Sequence, residues 1–191
     1  GKYVELQDAY KSINEALFQA ATYNNRRLKL VSIHSEKVND DNVESLLKDM
    51  DGVIVAPGFG QRGIEGKFSA LKWCREHDKP TFGICLGMQL MCSHSEEGDV
   101  DCLDIFHVPV KRFIPSVEGH EKVPHMGWNT LEQTRSPLFK GFDAEEYVYF
   151  VHSYYVPVNE ATAAVTRYVH PFSAALQQGN FFATQFHPEK S

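Results

Sequence analysis

The sequence predicts a single α/β domain, with a mostly parallel central sheet flanked by helices and a strand-rich second half. Three observations carry this reading. Helical and strand-like segments alternate over roughly the first 90 residues, strand-like segments dominate the second half, and no repeat, low-complexity stretch or linker divides the 191 residues. A chain of this length can bury a substantial core.

The elements follow in order. Asp8 is placed to N-cap a first helix in which Ala9, Ile13, Ala16, Leu17 and Ala20 recur at helical spacing. "LKLVSIHS", from Leu28 to Ser35, alternates and reads as a strand. "VESLLKDM" puts Val43, Leu46, Leu47 and Met50 on one helical face. "GVIVA" is a short buried strand stopped by Pro57 and the glycines behind it. "KFSALKWCREHD" is helical, Lys79-Pro80 ends it, and "TFGIC" is a second buried strand leading into the helix-like "LGMQLMC". Beyond these, "HVPVKRF", "YVYFVHSYYV", "AAVTRYV", "FSAALQ" and "NFFATQF" are strand-like.

Composition excludes several classes. A formal net charge of -6 gives no global pull toward nucleic acid or an anionic membrane. No apolar run approaches the ~20 residues that span a bilayer, and "GKYVELQDAY" lacks the basic start and apolar stretch of a signal peptide. The four cysteines read as reduced thiols of a cytoplasmic protein, with Cys74, Cys92 and Cys102 structural. They offer no C-x-x-C pair, and the acidic "SHSEEGDVDC" lacks the spacing of a calcium loop. No metal or cofactor is expected, and the acidic stretch reads as a solvated loop.

Gly58, Gly60 and Gly63 spell the glycine spacing of a dinucleotide loop. Such a loop needs a carboxylate ~20 residues on, at the end of the next strand, and here that strand ends in Cys85. The nucleotide reading therefore fails. "Gly83-Ile84-Cys85-Leu86-Gly87" between a buried strand and a helix is instead a thiol version of the nucleophile elbow. The glycines remove Cβ atoms that would crowd the turn, and the helix N-terminus is expected to lower the thiol pKa. A base and its orienting group are available in "Gln185-Phe186-His187-Pro188-Glu189", with His187 and Glu189 on the same side of an extended segment. Loops after adjacent parallel strands converge, so Pro57-Gly58-Phe59-Gly60 should lie beside Cys85. Backbone N–H groups of Gly58 or Phe59, and of Leu86, would then stabilise an oxyanion.

These pieces together resemble the triad-type glutamine amidotransferases, which have a P-G-x-G loop, then G-x-C-x-G-M-Q, then H-P-E. The resemblance implies the flavodoxin-like fold of that family, with Cys85 as nucleophile, His187 as general base and acid, and Glu189 as orienter. It implies that Gln89, Glu97 and the backbone around Ser153 and Tyr154 hold the substrate, L-glutamine. The implied reaction is hydrolysis of the side-chain amide through a γ-glutamyl thioester, with ammonia passing to a synthase partner. Residues 1 to about 88 resemble the glutaminase domain of CTP synthase, in "GKYVELQDAYKSINEAL" and "PGFGQRGIEGK". From about Met88 the chain resembles the glutaminase subunit of imidazole glycerol phosphate synthase, in "SHSEEGDVDCL", "KVPHMGWNTL", "YFVHSYYV" and "QFHPEKS".

The split reads as a recombinant joined at about residues 83–91, with a natural divergent member as the alternative. By the second resemblance His125, Trp128 and Asn129 of an "HMGWN" loop and Lys190 face a (β/α)₈ cyclase subunit; by the first, the partner is a CTP synthase amidoligase domain. Core packing is the alternative for Trp128. A scaffold that keeps the fold with little or no activity is the alternative function, because folding tolerates looser placement than catalysis.

Overall fold

Apolar β-branched residues in "VIV" and the aromatic and β-branched residues of "FFAT" build strands at the centre of the fold. The computed structural model describes residues 1–6, 8–58, 60, 62–115, 121–143 and 145–191. Its first half contains α1 (Lys11–Tyr23), α2 (Val43–Leu47), β1 (Val53–Val55), α3 (Ile64–Glu76), β2 (Thr81–Ile84) and a short α4 (Leu86–Gln89). Two small strands follow, β3 (His94–Ser95) and β4 (Val100–Asp101), then β5 (Lys111–Arg112), β6 (His125–Thr130), β7 (Tyr147–His152) and β8 (Tyr154–Tyr155). The chain closes on β9 (Thr162–Tyr168), β10 (His170–Gln178) and β11 (Phe181–Thr184).

The main sheet runs β1-β2-β11-β10-β9. It is parallel from β1 through β2 to β11 and antiparallel from β11 through β10 to β9. The chain's last strand is thus inserted between β2 and β10, with Ile84 registered opposite Thr184. β6 and β7 form a separate antiparallel ribbon. One core cluster gathers Leu71, Met88, Met91, Phe106 and Leu176, and a second packs Phe113, Phe150 and Phe172 beneath the ribbon. A third, small cluster of Ile13, Ala56, Ile84 and Cys85 sits at the ends of β1 and β2.

Several local expectations are corrected. Residues 28–34 are extended but unpaired, and do not form a strand. β1 is an edge strand, and a groove of about 240 Å³ between it and residues 28–33 leaves no ladder within reach. Asp8 does not cap α1: Tyr10 holds that position without a side-chain cap, because a turn brings the Lys11 N–H onto the Asp8 carbonyl. α3 starts at Ile64, earlier than expected, because Gly63 takes a left-handed φ of 75° that turns the chain into it. The "HMGWN" segment is strand β6, and "HVPVKRF" is paired only at Val110, bridged to Ser95, and at Lys111–Arg112, in β5. The acidic "SHSEEGDVDC" segment folds as the β3–β4 hairpin, turned by Gly98 at φ 82°.

Candidate active site

Cys85 follows the last residue of β2 and adopts φ 53°, ψ -106°, a conformation that costs a non-glycine residue ~1–3 kcal/mol. Its backbone N–H donates to the Thr184 carbonyl at 2.8 Å, so the elbow is pinned to the end of β11. The flanking glycines are required by space. A Cβ on Gly83 would lie 2.7 Å from the Gly87 carbonyl carbon, and one on Gly87 would collide with the Val55 carbonyl oxygen. Gly87→Ala is therefore expected to cost about 2–3 kcal/mol, read as a fall in Tm of roughly 5–10 °C by circular dichroism.

β11 ends at Thr184, and His187 opens a 3₁₀ turn over Pro188–Lys190. The two triad candidates therefore meet through a turn, which corrects the extended arrangement expected. His187 Nδ1 lies 2.9 Å from Glu189 Oε1, and both side chains are more than nine-tenths buried. The His187 backbone N–H donates to the Tyr149 carbonyl at 2.9 Å, which ties the turn to β7. A buried carboxylate on Nδ1 fixes the proton there and leaves Nε2 as the acceptor. Nε2 is buried and has no hydrogen-bond partner among the described residues.

The thiol departs from expectation. Burial pushes Cys85 up to about 11, aided by the charges of Glu189 and Glu97; the Leu86 N–H and the Lys67 ammonium oppose this. A four-residue α4 supplies one well-placed N–H and cannot outweigh the desolvation. Lys67 was not singled out in the sequence. It is buried in α3, donates to the Ala56 carbonyl at 2.9 Å, and is lowered to about 8 by burial and the nearby Lys2.

Of the oxyanion candidates, Leu86 directs its N–H at the sulfur. Gly58 is half-buried in the loop just past β1, where the preceding Pro57 carbonyl accepts from the Tyr10 hydroxyl at 3.1 Å. Phe59 lies outside the described residues. Gln89 is buried, and its Nε2 donates to Gln185 Oε1 at 3.0 Å and to the Tyr154 carbonyl at 3.4 Å. Glu97 is exposed, with its N–H on Ser95 Oγ at 3.1 Å. The Ser153 carbonyl accepts from the Phe113 N–H at 3.0 Å.

The partner-facing candidates separate. Trp128 is 56% exposed, packs edge-on against Tyr149, and is not a core residue. Lys190 sets its ammonium 5.1 Å from the centre of the same Tyr149 ring. Asn129 donates to the Arg167 carbonyl at 2.9 Å. His125, expected with them, is turned inward by the strand alternation of β6 and is only 3% exposed. It stacks on Tyr168 and Phe150, and its Nδ1 lies 3.0 Å from His152 Nε2. His152 and Gln185 were also missed. The available signal was polar residues at inward positions of otherwise apolar strands, beside the two site motifs.

The glutamine amidotransferase class-I family model matches residues 5–191. The imidazole glycerol phosphate synthase subunit HisH of Bacteroides thetaiotaomicron is 58% identical over 155 residues, covering 78% of this chain and 76% of that protein. A CTP synthase of Porphyromonas gingivalis is 68% identical over 91 residues, 48% of this chain but only 17% of that protein. Among solved structures, the glutaminase domain of Trypanosoma brucei CTP synthase with bound acivicin superposes with a TM-score of 0.74 at 23% identity. That match covers 100% of this chain and 84% of that one, and shows a shared fold. The chain belongs to the class-I glutamine amidotransferases.

Proposed function

We propose that the chain hydrolyses the side-chain amide of L-glutamine and supplies the ammonia to a synthase partner. The observation that carries the reading is the meeting of two neighbouring strand ends. Cys85 leaves β2 and the buried His187–Glu189 pair follows β11, the strand hydrogen-bonded to it.

His187 Nε2 takes the proton from Cys85 Sγ as the sulfur attacks the amide carbon. The resulting oxyanion is met by the Leu86 N–H and by the loop at Gly58 and Phe59. His187 returns the proton to the departing nitrogen, which leaves as ammonia, and the acyl group remains on sulfur as the thioester. Water, deprotonated by His187, then releases glutamate and restores the thiol. By the resemblance, Gln89, Glu97 and the backbone at Ser153 and Tyr154 hold the substrate. No cofactor enters any step.

A (β/α)₈ cyclase subunit suits the partner role better than a CTP synthase amidoligase domain. The longer coverage of the HisH relative and the exposed Met126, Trp128 and Tyr147 on the β6–β7 ribbon, with Lys190 beside them, support this. The proposed junction between the two resemblances, residues 83–91, falls where β2 already packs on β11. No described helix is long and apolar enough to cross a membrane, and four free cysteines suit the reducing cytoplasm.

The test is labelling with a glutamine-mimicking chloroketone, read by intact mass and peptide mapping. A single adduct at Cys85, blocked by glutamine, is expected. Scattered labelling of Cys74, Cys92 and Cys102 that ignores glutamine would refute the reading.

A further inference from the structure

The sulfur of Cys85 has one side-chain hydrogen-bond partner among the described residues, and it is Gln185. Gln185 is fully buried directly after β11, with its backbone N–H on the Ala174 carbonyl of β10 at 2.8 Å. Its Nε2 lies 3.6 Å from Cys85 Sγ, and its Oε1 accepts from Gln89 at 3.0 Å.

Which end of this amide faces the sulfur is settled by the groups behind it. The Tyr154 carbonyl can only accept, so Gln89 must present Nε2 to it. The same Nε2 then donates to Gln185, which must present Oε1. Nε2 of Gln185 is thereby left toward the thiol. Turning the Gln185 amide over would set two N–H₂ groups face to face, and turning Gln89 as well would set two oxygens together at Tyr154. The Tyr154 carbonyl is itself held at 2.7 Å by His152 Nδ1, which must be the donor there. Neutral His152 accepts at Nε2, so His125 Nδ1–H donates to it. Every proton from His125 to the sulfur is thus assigned.

We propose that Gln185 is a further catalytic residue, whose side-chain N–H, aimed by Gln89 and the Tyr154 carbonyl, stabilises the Cys85 thiolate and leaves its S–H free to point to His187. The inference deepens the reading of Cys85 as nucleophile and rests on it. A donor that can only donate favours the charged sulfur and cannot compete with His187 Nε2 for the thiol proton. The other groups acting on this sulfur are the Leu86 N–H and Lys67, which favour the thiolate, and Glu189 and Glu97, which oppose it. Gln185 adds a donor from the opposite half of the chain, 100 positions away.

The experiment is the pH profile of Cys85 alkylation by iodoacetamide, mapped by peptide from about pH 6 to about pH 11. Gln185→Met keeps length and packing but removes the donor. Alkylation is expected to be about tenfold slower at each pH on the rising limb of the profile, as for a profile displaced upward by about one unit. A folded Gln185→Met protein with unchanged alkylation rates along that limb overturns the proposal. A second measurement needs no variant of Gln185: its side-chain amide resonance should shift as Cys85 ionises, and the shift should be absent in Cys85→Ala. An amide that ignores the sulfur overturns the proposal as well. Both readouts are independent of glutamine. A Cys85 that titrates as expected but ignores the chloroketone refutes the glutaminase reading and leaves the contact of Gln185 with the thiolate intact.

Discussion

Cys85→Ala is expected to release glutamate from glutamine at least about 10⁴-fold more slowly than the unaltered chain. Without sulfur no thioester can form, and the remaining machinery can only assist direct attack by water. Gln89 and the Tyr154 backbone are held to each other and to Gln185 and His152, not by the sulfur directly. Glutamine binding should therefore survive while turnover is lost, and the two can be separated by calorimetry and single-turnover assays. Glu189→Gln is expected to lose a comparable factor for a different reason. An amide at this position can offer N–H to His187 Nδ1, which moves the ring proton to Nε2 and removes the acceptor that the thiol needs.

Acid should unfold this protein through the ribbon. Burial lowers His125 to about 4 and His152 to about 3, both below the ~6.5 of a free imidazole. As pH falls below ~6.5 the unfolded chain binds protons that the folded chain refuses. Stability therefore falls with pH, from ~6.5 down to the folded values. Between about pH 7 and about pH 5 the pair should account for a loss of about 4 kcal/mol, measured by urea unfolding. His94, raised by Asp101 and Asp99, acts in the opposite sense but is exposed at the surface. His125→Phe keeps the stacking on Tyr168 and Phe150 and should remove about half of the pair's share of the acid loss; His170 and the Gly1 ammonium, also lowered by burial, keep theirs. An acid loss unchanged in that variant would show that other groups cause it.

The α/β alternation, the elbow and H-P-E were legible because each is a local pattern whose chemistry needs adjacent residues. The glycines of the elbow were read for the right reason, as relief from crowding. The strand expected at 28–35 had the right alternation, but alternation does not supply a neighbour to pair with. β6 was read as a loop because Gly127 and the mix of Met, Trp and Asn weaken its strand signal, and pairing with β7 overrides that weakness. The thiol shift went the wrong way because a motif shows the helix behind the sulfur but not how deeply the sulfur is buried. Gln185 and His152 were missed because their roles depend on partners far off in sequence. The direction of each donor was fixed only once Tyr154, Gln89 and Gln185 were seen in one line.

The position of β11 has a consequence for synthesis. It lies between β2 and β10, and both of these strands are made before it. During translation β2 and Cys85 leave the ribosome long before the residues that complete the site. A nascent chain can fold its first helices and the β6–β7 ribbon, but the gap between β2 and β10 stays open until Phe181–Thr184 arrives. Parallel closure across so long a stretch is slow, so insertion of β11 is the late step of folding. That same step brings in Gln185, His187 and Glu189, which follow β11 directly, and sets Gln185 on the sulfur. A chain stalled before β11 would therefore carry Cys85 without the buried His187–Glu189 pair.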